Sequence, residues 1–344
     1  MDMSQDDIAP AVKHVSYWAH QPYSCCQFSP SIQVGLMSFS ISSSKAIKAC
    51  IGICLIMGLI LASASEYILR VKIAPQDEFI AHVNLFNSNP VSDAAFGDSH
   101  VARGFVPPKG MLNHAYPSES IPRMAWKVET YFSDHAPDRV IIQADPHMFA
   151  PYRLSKTVGD YPAQFENPTH SKFGLYLSIP RYRANLVNYW ASFARNGGQL
   201  KSEITFTSGG AHLSPGDISK EPPRYRENAA LTRARIHDLG PASTQKAYRE
   251  IYSKMLTDLN RKGANICMVT FPVSPNFRTA IRTINDAERK GIFAFFEQEA
   301  QRIEARYVNW EAITDDLSNF RDTDHLNGDA AKHFSPQLVT ECFG

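Results

Sequence analysis

Ala94-Ala95-Phe96-Gly97-Asp98-Ser99-His100 reads as a short strand of small and aromatic residues that runs through a glycine into a polar turn. A strand-to-helix turn of this kind exposes the serine hydroxyl and aims the first helical amides at whatever approaches it. Alone, Gly97 to His100 is a weak signal, because its plain alternative is an ordinary turn with Ser99 as an N-cap. It gains meaning only if a parallel sheet surrounds it.

The rest of the chain supplies that sheet. Arg139 to Asp145 is an apolar, β-branched run of the kind buried in parallel sheets, preceded by helical spacing from Ile121 to Phe132. The alternation returns in a helix over Thr244 to Arg261, with Gly263 as its C′ residue, leading into a strand over Asn265 to Phe271. A helix from Asn285 to Ala305, a strand at Arg306 to Trp310 and a closing helix from Gly328 to Cys342 follow. The expected fold class is α/β: a doubly wound α/β/α sandwich with a mainly parallel sheet, occupying residues 91–344. Residues 152–243, rich in Pro, Gly, Arg and Tyr with little periodicity beyond Leu186 to Phe193, read as an insertion at the carboxyl edge of the strands, where selectivity is set.

Near the C-terminus stands Asp322-Thr323-Asp324-His325-Leu326-Asn327. A serine hydroxyl is a poor nucleophile at neutral pH and needs a base, and the base needs a carboxylate to fix its tautomer. Asp322, three residues before His325, can reach one imidazole nitrogen and leave the other for Ser99; Asp324, the immediate neighbour, usually projects elsewhere. Taken alone, this hexapeptide also reads as a solvated turn.

Together, the turn serine near the start of the domain and the Asp-x-x-His at its end resemble the SGNH hydrolases, also called GDSL-like hydrolases, over roughly Asp93 to Ser335. Phe320 to Ser335 is similar to the terminal block of membrane-anchored, extracytoplasmic members. The resemblance implies a triad of Ser99, Asp322 and His325, and an oxyanion hole built from the Ser99 amide, a glycine amide in a second block and an asparagine side chain in a third. In the second block, Asn113 to Ser120, Ser118 stands where the family has glycine. The third departs further: Gln143-Ala144-Asp145-Pro146-His147 has no Gly-x-Asn-Asp, so His147 or Asn113 is the candidate donor, with Asp98 and Asp145 supporting from behind. The plain alternative is that Asp145 and His147 only bond each other.

The resemblance also implies activity: a serine esterase or O-acyltransferase on acyl esters, foremost acetyl, of a cell-surface or secreted polysaccharide, with a membrane-bound acyltransferase as a possible partner. The alternative is an inactive glycan-binding or assembly subunit that kept the fold. No cofactor is expected. Asp98, His100, Asp145, His147, Asp322 and His325 offer mixed metal ligands, but a metal would leave Ser99 without a role, and no His-Glu-x-x-His motif is present, so none is assigned.

Composition agrees with a domain of this type. The 344 residues are 44% hydrophobic, enough for a sizeable core, and 35 basic against 34 acidic residues create no field that would gather nucleic acid. Four of the six cysteines, Cys25, Cys26, Cys50 and Cys54, lie in or before an apolar segment, and the remaining Cys267 and Cys342 make no disulfide framework. The apolar segment, residues 49–65, would span about 25 Å as a helix, short against a hydrocarbon core of roughly 30 Å. It reads as a signal-anchor that places the domain on the periplasmic side of an inner membrane, or as a signal cleaved after Ala64; the anchor is preferred. Residues 1–48 form a tail, with Met37 an alternative start, and residues 66–90 a juxtamembrane linker.

Overall fold

The computed structural model describes residues 44–73, 77–88, 90–154, 156–166 and 204–344, with Val187, Trp190 and Ala191. The tail through residue 43, including Met37, Cys25 and Cys26, and most of the stretch 167–203 within the expected insertion lie outside the described residues. The chain divides into two units, Met1–Ile56 and Met57–Gly344.

Helix α1 (Ser44–Ile68) continues through a π turn at Leu69–Ile73. Its apolar part, Ile47–Val71, is 25 residues long and holds an 18-residue stretch with a mean hydropathy of 2.3, long and apolar enough to cross a membrane. At the usual rise that is about 37 Å, so the segment is longer than its uncharged stretch suggested. Glu66 does not end the helix, because Arg70 one turn later pairs with its carboxylate at 2.7 Å.

The second unit is built on β1 (Asp93–Phe96), β2 (Met111–Asn113), β3 (Arg139–Gln143), β6 (Asn265–Thr270) and β7 (Arg306–Asn309), in the order β2-β1-β3-β6-β7. Every pairing in this sheet is parallel. A separate two-stranded antiparallel ribbon joins β4 (Thr205–Phe206) to β5 (His212–Leu213). Among the described residues the principal helices are α2 (Glu78–Phe86), α3 (Ser99–Gly104), α4 (Ile121–Tyr131), α5 (Pro151–Leu154), α6 (Tyr161–Glu166), α7 (Pro223–Ile236), α8 (Lys246–Arg261), α9 (Pro275–Arg302) and α10 (Gly328–Phe343).

Strand residues alternate between two cores. Phe96, Val140, Ile142 and Met268 pack with Met124 of α4, Tyr252 and Leu256 of α8 and Phe296 of α9. Ala95, Ile141, Val269 and Val308 pack with Val101 and Phe105 at α3 and Leu338 of α10. Both faces of the sheet are therefore covered, which is why the inner strands read as unbroken apolar runs rather than alternating ones.

Four features depart from the sequence reading. Residues 78–86, expected to be linker, form a helix capped by the Asp77 side chain, and its Phe79, Val83 and Phe86 enter the core; nine residues are too few for the 3.6 period to register. The helix expected from Asn285 begins at Pro275, capped by Ser274; Asn285, at φ −155° and ψ 60°, breaks the run and hides the earlier half. Cys267 of β6 and Cys342 of α10, 75 residues apart, form a disulfide that ties the last helix to the sheet. Within the expected insertion, α7 has a polar sequence, yet its Ala234 packs on Phe277 and Ile281 of α9.

Candidate active site

The winding of the sheet reverses between β1 and β3: the chain leaves β1 toward β2 on one side and continues from β3 toward β6 on the other. In open α/β sheets the crevice at this reversal, beyond the carboxyl ends of the strands, is where ligands bind. Ser99 opens α3 directly after β1, and Asp145 and His147 follow β3. The loop before α10 brings in Asp322 and His325, closed on itself by a bridge between Phe320 and Leu326.

The loop and the turn meet. His325 Nε2 lies 2.8 Å from Ser99 Oγ, and His325 Nδ1 lies 2.9 Å from Asp322 Oδ1. The same Asp322 oxygen accepts the backbone N–H of His325 at 3.0 Å and of Asp324 at 3.2 Å, so the turn fixes the carboxylate. Asp324 lies farther from His325 Nδ1, at 3.5 Å. It is also committed elsewhere: Arg233 of α7 donates to its Oδ2 at 2.7 Å. Asp324 is buried, which would raise its carboxyl, but the surrounding His325, His100, His237 and Arg233 outweigh this and hold it well below the carboxylate range.

Beneath Ser99 is a buried polar lattice. Asp98 caps α3 by accepting the His100 N–H at 2.9 Å, and its Oδ2 takes His147 Nε2 at 2.8 Å and the Arg153 guanidinium. Gln143 closes the gap between the strand ends, donating to Asp98 Oδ1 at 2.9 Å and Asp145 Oδ2 at 2.6 Å while accepting the Asp98 N–H. Gly97 is required by this closeness, since a Cβ there would stand 2.4 Å from Gln143 Oε1. Burial pushes Asp98 up, but Arg153 and His147 overcome it and keep the carboxylate ionised. Asp145 and His147 do not bond each other; Asp145 instead receives the Phe271 N–H at 2.9 Å.

The expected donors are placed unevenly. Asn113 spends both amide hydrogens on α3, donating to Val101 O at 2.9 Å and Phe105 O at 2.8 Å, so it anchors the helix and has none for an oxyanion. Burial lowers the His147 pKa, leaving one ring hydrogen, and Asp98 takes it at Nε2. The remaining Nδ1 then accepts rather than donates. Ser118 adopts φ +65°, the left-handed region a glycine would favour, but it lines a cavity of about 330 Å³ with Arg123, Lys156 and Tyr161. A different cavity, of about 560 Å³, lies beside Asp322 and His325 and is walled by Arg103 and by Tyr225, Thr232 and Arg233 of α7. The Ser99 amide stands in the first turn of α3, without an intrahelical acceptor.

His100 sits between two carboxylates, Nδ1 at 3.3 Å from Asp145 and Nε2 at 3.5 Å from Asp324. Desolvation opposes its charge, but Asp145, Asp324 and Asp98 win and raise its pKa to about 10. His100 with Asp145 and His147, or with Asp324 and His325, places ligand atoms within 4.8 Å of one another, a set a metal ion would fit. An ion there would have to displace the His100 proton, which already balances the two carboxylates.

The His100 charge gives stability a pH dependence. Its folded pKa lies above the ordinary 6.5, so the contribution is complete below about pH 6.5, shrinks as pH rises and is gone above about 10. The gap in urea midpoint between wild type and His100→Gln is expected to be widest near pH 6 and to narrow toward pH 10. A gap independent of pH would mean that the imidazole is neutral.

Sequence reasoning missed Gln143, Arg153, Arg233 and His237. The last stacks on His147 at a centroid distance of 4.7 Å and stands on the segment after α7. No motif marks these residues; they are joined to the site only by the fold. No family model matches the chain, and no curated protein gives a significant match to it.

Proposed function

We propose that this protein is an extracytoplasmic serine esterase or O-acyltransferase of the SGNH kind, its doubly wound domain held at a membrane by α1. The observation that carries this reading is the unbroken line from Ser99 Oγ through His325 to Asp322, with 2.8 Å and 2.9 Å steps. In the first half-reaction His325 Nε2 takes the Ser99 proton as Oγ attacks the ester carbonyl, then returns it to the departing alkoxide, leaving an acyl-serine. In the second half, water or a sugar hydroxyl loses its proton to His325 and attacks the acyl-serine, and Ser99 is regenerated. Asp322 stabilises the imidazolium in both halves.

Export is supported by α1 and by the Cys267–Cys342 disulfide, since such bonds persist in oxidising compartments. Acetyl esters of a polysaccharide are the proposed substrates, water or a second sugar the acceptor, and a membrane-bound acyltransferase the partner if the direction is transfer.

The occupied hydrogens of Asn113 and His147 favour a second reading, a glycan-binding or assembly subunit with little catalysis. Labelling of the detergent-solubilised full chain with a serine-directed fluorophosphonate separates the two. Stoichiometric labelling, lost in Ser99→Ala, is expected; an unlabelled wild type would overturn the esterase reading.

A further inference from the structure

Among the described residues, two groups place three metal-ligating atoms within 4.8 Å of one another, and His100 belongs to both: with Asp145 and His147, or with Asp324 and His325. All five side chains are buried, and neither ring nitrogen of His100 makes a hydrogen bond. Its nearest carboxylate oxygens stand 3.3 Å from Nδ1 and 3.5 Å from Nε2, beyond the usual limit of about 3.2 Å for a good bond. A metal ion asks for a wider spacing. Ligand atoms about 2.0–2.2 Å from a tetrahedral zinc lie roughly 3.3–3.6 Å apart. Asp324 meets that spacing on both sides, with Oδ2 at 3.5 Å from His100 Nε2 and Oδ1 at 3.5 Å from His325 Nδ1.

The two groups differ in access. Asp324 and His325 line the cavity of about 560 Å³ beside the triad, whereas Asp145 and His147 are not among its lining residues. An ion can therefore reach Asp324 and His325 directly and meet His100 behind them, its ring centroid 5.0 Å from that of His325. Asp322, 2.9 Å from His325 Nδ1, supplies the carboxylate support that metal-bound imidazoles have. Arg233, 2.7 Å from Asp324, opposes a second positive charge. The site therefore needs an ion that binds imidazole strongly, which selects zinc over magnesium or calcium.

We propose that His100, Asp324 and His325 bind a zinc ion entering through this cavity, and that the bound ion switches the Ser99 chemistry off. The site stands on its own geometry; its effect on turnover rests on the ester reading above. Coordination at either nitrogen removes the base. At Nε2 the ion occupies the lone pair that would take the Ser99 proton, and at Nδ1 it leaves the one ring proton on Nε2. Any proton held by His100 passes to solvent as the ion binds, and withdrawal of the ion by a chelator reverses both steps. Ser99 keeps its role and is silenced, not replaced.

The test is calorimetric titration of the metal-free, detergent-solubilised full chain with Zn²⁺, and with Mg²⁺ and Ca²⁺ as controls. Zinc should bind at about one ion per chain that His100→Ala and His325→Ala each remove, and at least about a hundredfold more tightly than either control. His147→Ala should keep that ion, and Ser99→Ala, which removes no ligand, should bind it at least as tightly as wild type. If one ligand variant fails to fold, the other carries the comparison. No zinc binding by wild type, binding that survives loss of His100 or His325, or binding lost with His147 and kept without His325 would overturn the site. Saturating zinc should slow fluorophosphonate labelling of Ser99 about tenfold or more, and EDTA should restore it. Labelling that zinc leaves unchanged would overturn the switch. The ester reading is judged separately, on labelling of the metal-free protein: zinc binding without any labelling sinks only that reading, and labelling without zinc binding sinks only this proposal.

Discussion

Ser99→Ala is expected to lower kcat/KM for p-nitrophenyl acetate by about 10⁵–10⁶-fold, and His325→Ala by a similar factor, while the double variant loses no more than either alone. That non-additivity is the informative part. Ser99 and His325 form one device at 2.8 Å: without the hydroxyl the base has no proton to take, and without the base the hydroxyl stays protonated. Two groups acting separately would multiply their losses. Asp322→Ala should cost less, about 10⁴-fold, because the imidazole keeps its place and loses only the partner that fixes its tautomer. Steady-state kinetics on the solubilised full chain, with circular dichroism to confirm folding, would check all four variants. A double variant markedly worse than the singles, or a Ser99→Ala loss below tenfold, would remove the serine from the chemistry.

The parts of this site that sequence reading brings out are those whose chemistry is local. The Gly97–Ser99 turn follows its strand within three residues, and Asp322 and His325 share a single turn, so spacing alone nominates them. The lattice beneath them is assembled across the sheet. Gln143 reaches Asp98 over 45 residues and Arg153 reaches it over 55, and neither pairing leaves a period or a motif. Asn113 shows the converse: residue type marked it as a donor, but a three-residue edge strand sets it under α3, whose carbonyls consume both hydrogens. The same distinction applies to the fold. The long amphipathic α4 and α8 begin and end within two residues of their predicted bounds, whereas α2 is too short and α9 too interrupted for their periods to be read. Cys267 and Cys342 are likewise joined only once α10 is packed on the sheet.

Lys127→Met is expected to destabilise the domain by about 3–5 kcal/mol, the usual result of stranding one partner of a buried ion pair. Lys127 is completely buried in α4, with its ammonium 2.6 Å from Glu119 Oε2, bonded to His114 O and 3.3 Å from His82 Nε2. Burial raises the Glu119 pKa and lowers that of Lys127, and the charge of each opposes that shift in the other. With the lysine gone, Glu119 retains only the Tyr161 hydroxyl at 2.6 Å and must remain an unbalanced buried charge or take up a proton. The double variant Glu119→Leu/Lys127→Met removes both charges and should recover most of the loss, because the intact pair offsets little more than its own desolvation. Urea unfolding midpoints of the wild type, both single variants and the double variant measure the cycle, and a Lys127→Met cost under about 1 kcal/mol would mean that the pair is hydrated in solution. The consequence reaches the candidate site, since Arg153 donates to Glu119 O at 3.0 Å and to Asp98 with another of its nitrogens. Loosening Glu119 therefore loosens the carboxylate that caps the Ser99 helix. The Lys127→Met protein, assayed below its unfolding transition, should lose kcat while the double variant regains it.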